Sequence, residues 1–377
     1  MEYRKFRLKS KQDIEDFLTG CAFYGTGGGG NTAAGRASLT RCLEQGYDIT
    51  LMRPEEIDDD ALYCSVFFMG SIAPKTEEVL REMERGGYTE RKYVLEDILI
   101  GAVRSLEQFL GRKVSGLVIV EPGGSNAACC MAAGYKMDMP VLDGDPVGRA
   151  VPEMMQGPLA MQGKNCLPAV YFDSWGNSNV TIEASGYPAM ERIGKFLSQA
   201  SYGEMAEAGY VLEGREVRKI LIPNTLSRAW RVGQAINRAA EEGRDPLAAA
   251  AEASGGRVVA MGTLREVKTR DADGYYWGTY IIEGEGAYAG NAYKVWFKNE
   301  NHILWINDAP AVTSPDLITL LNAKTGAPIL NTFLKEGERV GIVTNPSDPF
   351  YMCDKAVEVF GPRAFGFDFD YVPYPKD

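Results

Sequence analysis

Apolar residues recur at helical spacing before a glycine-rich stretch near the start of the chain. From Ser10 onward they repeat at intervals of three and four residues, which predicts an amphipathic helix that begins at this serine. The stretch GTGGGGNTAAGR follows at 25–36, and Asn31 within it is a suitable N-cap for a second helix over 32–44. The pattern therefore predicts two helices joined by a run of four glycines.

The glycine run has three interpretations. A nucleotide site is disfavoured, because the glycines of dinucleotide and Walker loops follow a buried strand, whereas here they follow a helix and precede no Gly-Lys-Ser/Thr. A tight turn between helices would use glycine for positive φ angles. Four glycines exceed what a turn needs, so we favour a loop whose N–H groups bind a carboxylate or an oxyanion. The candidate binding residues are Gly27, Gly28, Gly29, Gly30 and Asn31.

Strands and helices alternate after this loop. LYCSVFF at 62–68 is almost continuously apolar, and 94–110 has helical periodicity. Another apolar strand ends at Val120, before a helix that begins at Asn126, and a short strand ending at Asp143 repeats the arrangement. This alternation predicts a parallel sheet covered by helices.

The pattern changes after about Gly163. Residues 188–254 are helical and rich in alanine, and 257–343 is a succession of short β runs separated by Gly, Asn and Asp turns. We therefore predict the α/β class with two domains. A parallel-sheet α/β domain would occupy 1–165, and a β-rich, barrel-like domain with the helical segment would occupy 166–377.

Charge and composition disfavour several classes of partner. The 377 residues carry a formal net charge of −11, which disfavours nucleic acids and anionic membranes. No apolar run approaches the roughly 20 residues that cross a bilayer, and the N-terminus lacks the apolar core of a signal peptide. The seven cysteines are irregularly spaced and do not indicate a disulfide framework. We expect a cytoplasmic protein.

Acidic residues follow two of the predicted strands. Glu121 follows the strand that ends at Val120, and Asp143 and Asp145 follow the next one. Since the carboxyl ends of parallel strands share the edge at which ligands bind, we expect the three acids to lie together. The residues expected to complete this site are Gly123, Gly124, Asn126, Arg149 and Glu153.

Close carboxyl groups in a cleft raise one another's pKa, so that one holds a proton while another acts as a base. Hydrolysis of a polar bond needs this combination, which makes Glu121, Asp143 and Asp145 candidate catalytic residues. The structural alternative is that Asp143 and Asp145 cap the following turn and Arg149 neutralises them.

A zinc site is disfavoured, because His302 is the only histidine and no CxxC or HxxxH spacing occurs. Glu121, Asp143 and Asp145 are a candidate oxygen-ligand site for a divalent cation such as Mg²⁺. No other cofactor is predicted.

Six stretches of the sequence occur together in one known family. They are GTGGGGNTAAGR, FFMGSIAPKTEEVL, VIVEPGGSNAACCMAAGYKMDMPVLDGDPVGRAVPEM, FKNEN, SPDLITLLNAKTGAPI and GPRAFGFDFDYVP. In this order they resemble the S-methyl thiohydantoin desulfurase-like family, whose members are often encoded near hydantoinase or oxoprolinase proteins or fused to them. The similarity extends over essentially the whole chain.

The resemblance implies an α/β domain followed by a β-rich domain, with a cleft between them. It implies a reaction that removes sulfur from a five-membered thiohydantoin ring and leaves a hydantoin. Two stretches depart from the expected family pattern: Asn31 replaces an aspartate, and 71–74 reads Ser-Ile-Ala-Pro where many members have Gly-Ala-Pro. The matching positions are Gly27, Gly28, Gly29, Gly30, Glu121, Gly123, Gly124, Asn126, Asp143, Asp145, Gly148, Arg149, Glu153, Asn299 and Glu300. From the residue pattern alone, Asn299 and Glu300 would be exposed turn residues.

We therefore predict a hydrolytic desulfurase or cyclic-amide hydrolase acting on a small cyclic (thio)amide. A carboxylate among Glu121, Asp143 and Asp145 would activate water, while Arg149 and the N–H groups of the glycine loop would hold anionic groups or developing charge. The alternative is a non-catalytic subunit that binds a hydantoinase- or oxoprolinase-type partner. A homo-oligomer is a further candidate assembly.

Overall fold

The computed structural model describes residues 6–203 and 205–374. Its helices are α1 (Lys11–Tyr24), α2 (Thr32–Glu44), α3 (Glu77–Arg85), α4 (Leu95–Leu110), α5 (Asn126–Lys136), α6 (Pro158–Met161), α7 (Tyr187–Ala200), α8 (Gly214–Ile220), α9 (Thr225–Glu241), α10 (Pro246–Ser254) and α11 (Asp354–Phe360). Its strands are β1 (Arg7–Leu8), β2 (Ile49–Thr50), β3 (Leu62–Met69), β4 (Gly116–Val118), β5 (Gly144–Asp145), β6 (Ala169–Asp173), β7 (Ser178–Thr181), β8 (Met205–Glu213), β9 (Ile222–Pro223), β10 (Arg257–Ala272), β11 (Tyr275–Gly284), β12 (Ala292–Lys298), β13 (Glu300–Ile306), β14 (Ala309–Thr313), β15 (Leu317–Asn322) and β16 (Arg339–Asn345).

The glycine run joins α1 to α2, as the apolar spacing predicts. The Ser10 side chain accepts a hydrogen bond from the N–H of Asp13, and the Asn31 side chain accepts one from the N–H of Ala33. Both predicted N-caps are therefore confirmed. The glycine run follows a helix, whereas the glycine loops of dinucleotide-binding and Walker sites follow a buried strand. The loop therefore does not have the structural context of a nucleotide site.

The first sheet has the strand order β4-β3-β8-β6-β7. β3 and β4 are parallel, and parallel bridges from Leu117 to Val141 and from Met52 to Leu142 extend this side. β8, β6 and β7 pair in antiparallel fashion. The α/β class is confirmed. The sheet is mixed because β8, which follows α7 in the sequence, lies between β3 and β6. One face of the sheet packs on α4 and α5 in the largest apolar core.

The second sheet is antiparallel, with the order β14-β13-β12-β11-β10-β16-β15, and curls into a half-barrel. Its own apolar core lies inside the curl. The helical segment predicted at 188–254 consists of α7 to α10 and also contains β8. β6, β7 and β8 follow residue 165 along the chain but belong to the first sheet.

Helices α1 and α9 cross in close contact and link the two halves of the chain. A Cβ on Gly20 would lie 1.6 Å from the carbonyl oxygen of Ala229, and one on Gly233 would lie 1.7 Å from that of Asp16. Only glycine permits this backbone approach. Among the described residues, no helix is long and apolar enough to cross a membrane.

Candidate active site

A cavity of about 520 Å³ lies between the second face of the first sheet and the half-barrel. Its wall is formed by the carboxyl ends of β3 and β4, the glycine run, α7 and the turn between β12 and β13. Most of the wall is apolar, and a cavity of this volume accommodates a small ligand. The charged side chains on the described part of the wall are Glu121, Glu153, Glu191, Lys195 and Glu300.

Glu121 reaches the cavity on the segment that leaves β4, as the strand-end rule predicts. One carboxylate oxygen accepts a hydrogen bond from Asn126 Nδ2 at 3.0 Å, and the other accepts one from the N–H of Val151 at 2.7 Å. Asn126 is fixed in turn, because its Oδ1 accepts a hydrogen bond from the N–H of Phe68 at 3.2 Å. Burial raises the pKa of Glu121 to about 7, although both of its hydrogen bonds favour the ionised form.

Glu300 enters the cavity from the half-barrel, next to the turn residue Asn299. Asn299 has a φ of 57°. Its Oδ1 accepts a hydrogen bond from the N–H of Tyr276 at 2.9 Å, and its own N–H donates to the Tyr276 carbonyl at 2.7 Å. These two bonds hold the turn, so that Glu300 is only 2% exposed. Its Oε2 has no hydrogen-bond partner within the described residues.

The two glutamates form an unequal pair. Burial, followed by the negative charge of Glu121, raises the pKa of Glu300 to about 8. Two donors stabilise the ionised form of Glu121, while Oε2 of Glu300 has none among the described residues. Of the two carboxyl groups, Glu300 therefore holds its proton to the higher pH.

The glycine run lets other segments approach its backbone closely. A Cβ on Gly28 would lie 1.8 Å from Oε1 of Glu300, and a Cβ on Gly29 would lie 2.7 Å from the Cα of Gly123. Gly29 and Gly30 also have positive φ angles of 73° and 83°. Glycine is therefore required here both for space and for backbone conformation.

The run also presents donors to the cavity. Gly29, Gly30 and Asn31 lie on the wall, and no acceptor within the described residues contacts the N–H groups of the two glycines. Gly27 and Gly124 lie outside the wall: a Cβ on the first would meet the Asn331 side chain at 2.5 Å, and one on the second would meet Thr32 at 2.6 Å. Of these glycines, only Gly29 and Gly30 lie where the binding interpretation needs them, on the cavity wall.

Replacing Gly28 by alanine is expected to displace the Glu300 carboxyl group, because the new Cβ would lie 1.8 Å from its Oε1. On the hypothesis that Glu300 is the acid or base of a reaction in this cavity, a displacement of this kind lowers turnover by about 10²-fold. Steady-state kinetics on the folded fraction checks this. The control is Gly46→Ala, whose Cβ would meet no atom within 4 Å but whose φ of 82° is strained for alanine, so that it reports the backbone cost of losing a glycine without a steric clash. Equal kinetics in the two variants would show that Gly28 does not position Glu300.

Asp143 and Asp145 do not line the cavity, contrary to our expectation, although the negative charge of Asp145 is close enough to raise the pKa of Glu121. β5 pairs with β9, and this pairing draws both aspartates toward the start of α9. Asp143 accepts hydrogen bonds from the N–H of Ser227 at 3.0 Å and from the Ser227 hydroxyl. The Asp145 carboxylate accepts bonds from the N–H groups of Val147 at 2.8 Å and Gly148 at 2.6 Å. Both acids are fully buried. Asp145 caps the following turn, as the structural alternative predicts, whereas Asp143 bonds to α9 and Arg149 donates to neither aspartate.

Arg149 is also absent from the described cavity wall. Its guanidinium donates to the carbonyls of Ala150, Pro315, Asp316 and Asn301 and to the Thr26 hydroxyl, at 2.9 to 3.2 Å. The residue is completely buried, with its guanidinium 4.8 Å from the centre of the Phe360 ring. All five N–H groups are therefore used within the fold, and the side chain ties the loop after β5 to the half-barrel.

Two ion pairs at the cavity were not predicted from the sequence. Lys195 lies 3.5 Å from Glu191 on the same face of α7, one helical turn away, and donates to the carbonyl of Gly70 at 3.2 Å. Glu153 accepts a hydrogen bond from Lys298, whose pKa burial lowers to about 8. The spacing of residues 191 and 195 could have indicated the first pair, whereas the second joins distant parts of the chain.

Within the described residues, no group of three or more His, Cys, Asp or Glu side chains is placed to hold a metal ion. Glu121 lies on the cavity wall while Asp143 and Asp145 do not, so the three acids do not form the predicted oxygen-ligand set. We therefore derive no step that uses a divalent cation.

Two family profiles and one solved structure are similar to this chain over almost its whole length. The profile of the S-Me-THD-like N-terminal domain matches residues 12–183, and that of the S-Me-THD-like C-terminal domain matches residues 185–374. A protein from Chromobacterium violaceum solved by X-ray crystallography is 20% identical, covers 98% of this chain and 100% of its own, and superposes with a TM-score of 0.77. That likeness concerns the fold. No curated protein matches the chain. Because the two profiles together span almost its whole length, the chain belongs to the S-Me-THD-like family.

Proposed function

We propose that the chain hydrolyses an S-methyl thiohydantoin, or a related thiohydantoin, at the ring carbon that carries sulfur. The observation that supports this is the pair of buried glutamates in an apolar cavity: Glu121 accepts two hydrogen bonds, whereas Oε2 of Glu300 has no partner among the described residues and Glu300 has the higher pKa. The family description suggests thiohydantoin chemistry. The glutamate pair supplies the base and the acid that such a hydrolysis needs.

In the first step water adds to the sulfur-bearing carbon of the C=N bond. Glu121 accepts one proton of the water, and Glu300 donates its proton to the ring nitrogen as the C=N π electrons move there. The tetrahedral intermediate then carries a hydroxyl and the S-methyl group on one carbon, and Glu121 is protonated while Glu300 is ionised.

In the second step Glu300 accepts the hydroxyl proton and the C=O bond forms. The C–S bond breaks, and Glu121 returns its proton to sulfur, which leaves as methanethiol. The products are a hydantoin and a thiol, and both glutamates regain their starting state. The N–H groups of Gly29 and Gly30 are available to stabilise negative charge on the substrate during these steps.

The direct test supplies the purified chain with an S-methyl thiohydantoin in water labelled with ¹⁸O. We expect equal amounts of methanethiol and of hydantoin carrying one labelled oxygen, measured with a thiol reagent and by mass spectrometry. No release of thiol by the purified chain would contradict the proposal and favour the non-catalytic partner role.

The pH dependence follows from the two pKa values. Glu121 must be ionised, so kcat/KM is expected to rise as pH increases through about 7. Glu300 must be protonated, so kcat/KM is expected to fall as pH increases through about 8. A bell-shaped profile with its maximum between these values is therefore expected from initial rates over pH 5 to 10. A rate that stays flat across this range would exclude the pair as acid and base.

A further inference from the structure

The contact between the glycine run and Glu300 joins two separate parts of the fold. The run connects α1 to α2, whereas Glu300 is the first residue of β13 in the half-barrel. Gly28 leaves the space in which the Glu300 carboxyl group lies, but its N–H donates to the Gly25 carbonyl at 2.8 Å within the run itself. The relative position of the two parts must therefore be set by neighbouring residues.

Asn331 is bonded to both parts. It lies between β15 and β16 and is 1% exposed. Its N–H donates to the Gly27 carbonyl at 2.8 Å, and its Nδ2 donates to the Asn299 carbonyl at 2.8 Å. The amide also packs directly on the run, because a Cβ on Gly27 would lie 2.5 Å from Asn331 Nδ2. Asn331 thus contacts the residue before Gly28 and the residue before Glu300.

The bond to Asn299 fixes the peptide group that precedes the Glu300 side chain. The Asn299 carbonyl and the Glu300 N–H belong to one planar peptide group, so a donor that holds this carbonyl also holds the plane from which the side chain departs. On the other side of Glu300, the N–H of Asn301 donates to the Thr26 carbonyl at 2.8 Å. Only the bond from Asn331 comes from a side chain, so a substitution can remove it while the backbone contacts remain.

Asn331 acts from behind the cavity wall. Its neighbours Leu330, Thr332 and Phe333 lie on the wall, whereas Asn331 itself does not. We infer that Asn331 is a positioning residue, whose side-chain amide holds the Glu300 carboxyl group against the glycine run. The inference rests on the proposed function for the part that Glu300 plays in the reaction, but the placement of the carboxyl group can be tested without turnover.

The test compares Asn331→Leu with Asn345→Leu. Asn345 on β16 is a matched control: it is 3% exposed, and its Nδ2 donates to the Ser254 carbonyl at 3.1 Å. Its Oδ1, like that of Asn331, has no partner within the described residues, and it does not lie on the cavity wall. Leucine is of similar size to asparagine but has no donor, so each variant loses one buried amide and should lower the urea midpoint.

Only Asn331→Leu should change the titration of Glu300. A carboxyl group released from the run gains contact with water, and since burial raises the pKa of Glu300, this pKa should fall toward the ordinary value. Infrared difference spectra recorded during a pH titration measure it, and the carboxyl band that is missing in Glu300→Gln identifies the group. Both variants retain the charged groups that act on this carboxyl group, which are Glu121, Arg149, Lys195 and Lys298.

The kinetics of Asn331→Leu should change in the same direction. We expect the decline in kcat/KM to begin at a lower pH and kcat of the folded fraction to fall at least about tenfold, whereas Asn345→Leu should retain the wild-type profile. An unchanged Glu300 band in Asn331→Leu, or an equal shift in both variants, would overturn the inference.

A second pair of variants serves if Asn331→Leu does not fold. Gly27→Ala places a Cβ against the Asn331 amide and should shift the Glu300 band, while Gly46→Ala, also at a positive φ, meets no atom within 4 Å and should not. Equal spectra for these two variants would likewise contradict the inference. Release of methanethiol by the wild-type chain is measured separately: its absence contradicts the proposed function, whereas the infrared titration decides the role of Asn331 in either case.

Discussion

Replacing Glu300 by glutamine is expected to reduce kcat about 10³-fold at pH 7.5, since loss of a general acid or base lowers rates by roughly 10²- to 10⁴-fold. The amide retains the size of the side chain but cannot accept or release the proton that the proposed mechanism moves between water, ring nitrogen and oxygen. Glu121→Gln is expected to have an effect of the same order. Initial rates of methanethiol release measure both variants, and the residual activity of Glu300→Gln should lose the decline in rate above pH 8.

The matched control is Glu207→Gln. Glu207 is fully buried on β8, burial raises its pKa to about 8, and neither carboxyl oxygen has a hydrogen-bond partner within the described residues. It shares its burial and its raised pKa with Glu300 but does not lie on the cavity wall. Glu207→Gln should therefore leave kcat unchanged. If it lowers kcat as much as Glu300→Gln, general disturbance of buried acids explains the loss, and the proposed role of Glu300 fails.

The sequence predicts those parts of this site that depend on local order along the chain. Glu121 follows an apolar strand and precedes a helix, so the strand-end rule places it in a ligand cleft without further knowledge. The N-caps Ser10 and Asn31 are predicted from the sequence in the same way, because the partner of an N-cap lies in the first turn of its own helix.

Glu300 shows where local order is insufficient. Its residue pattern is that of an exposed turn, and only the family resemblance indicated a role. Its burial comes from the meeting of the half-barrel with the glycine run, where Gly28 leaves room for the carboxyl group. The two residues are far apart in sequence, and hydrophobic periodicity carries no information about such a contact.

For Asp143 and Asp145, local order along the chain predicts a place on the cavity wall that the two residues do not occupy. The strand-end rule applies equally to them and to Glu121, but β5 pairs with β9, and neither aspartate lines the cavity although Pro146 and Val147 do. The partner of Asp143 is Ser227, far along the chain in α9, whereas the turn capped by Asp145 is local. The local cap could be predicted from sequence as the structural alternative, and the distant one could not.

Replacing Arg149 by methionine is expected to lower the free energy of unfolding by at least about 3 kcal/mol, because it leaves several buried acceptors without a donor, each at a cost of roughly 1–3 kcal/mol. The affected acceptors include the carbonyls of Pro315, Asp316 and Asn301, which no longer receive a hydrogen bond from the loop after β5. Arg149→Lys should recover only part of the loss, since an ammonium cannot reproduce the five-donor geometry of the guanidinium. Urea unfolding of both variants measures the effect.

Arg363→Met is the control, because this arginine is 59% exposed and pairs only with exposed aspartates among the described residues, so its loss should not move the urea midpoint.

The experiment also separates the two roles considered for Arg149. A residue that binds the substrate's negative charge would lose affinity or turnover on substitution while the urea midpoint stayed near the wild-type value. A residue that joins the loop after β5 to the half-barrel would lose stability first, and the folded fraction of Arg149→Lys would retain the bell-shaped pH profile, since lysine keeps the positive charge that lowers the pKa of both glutamates.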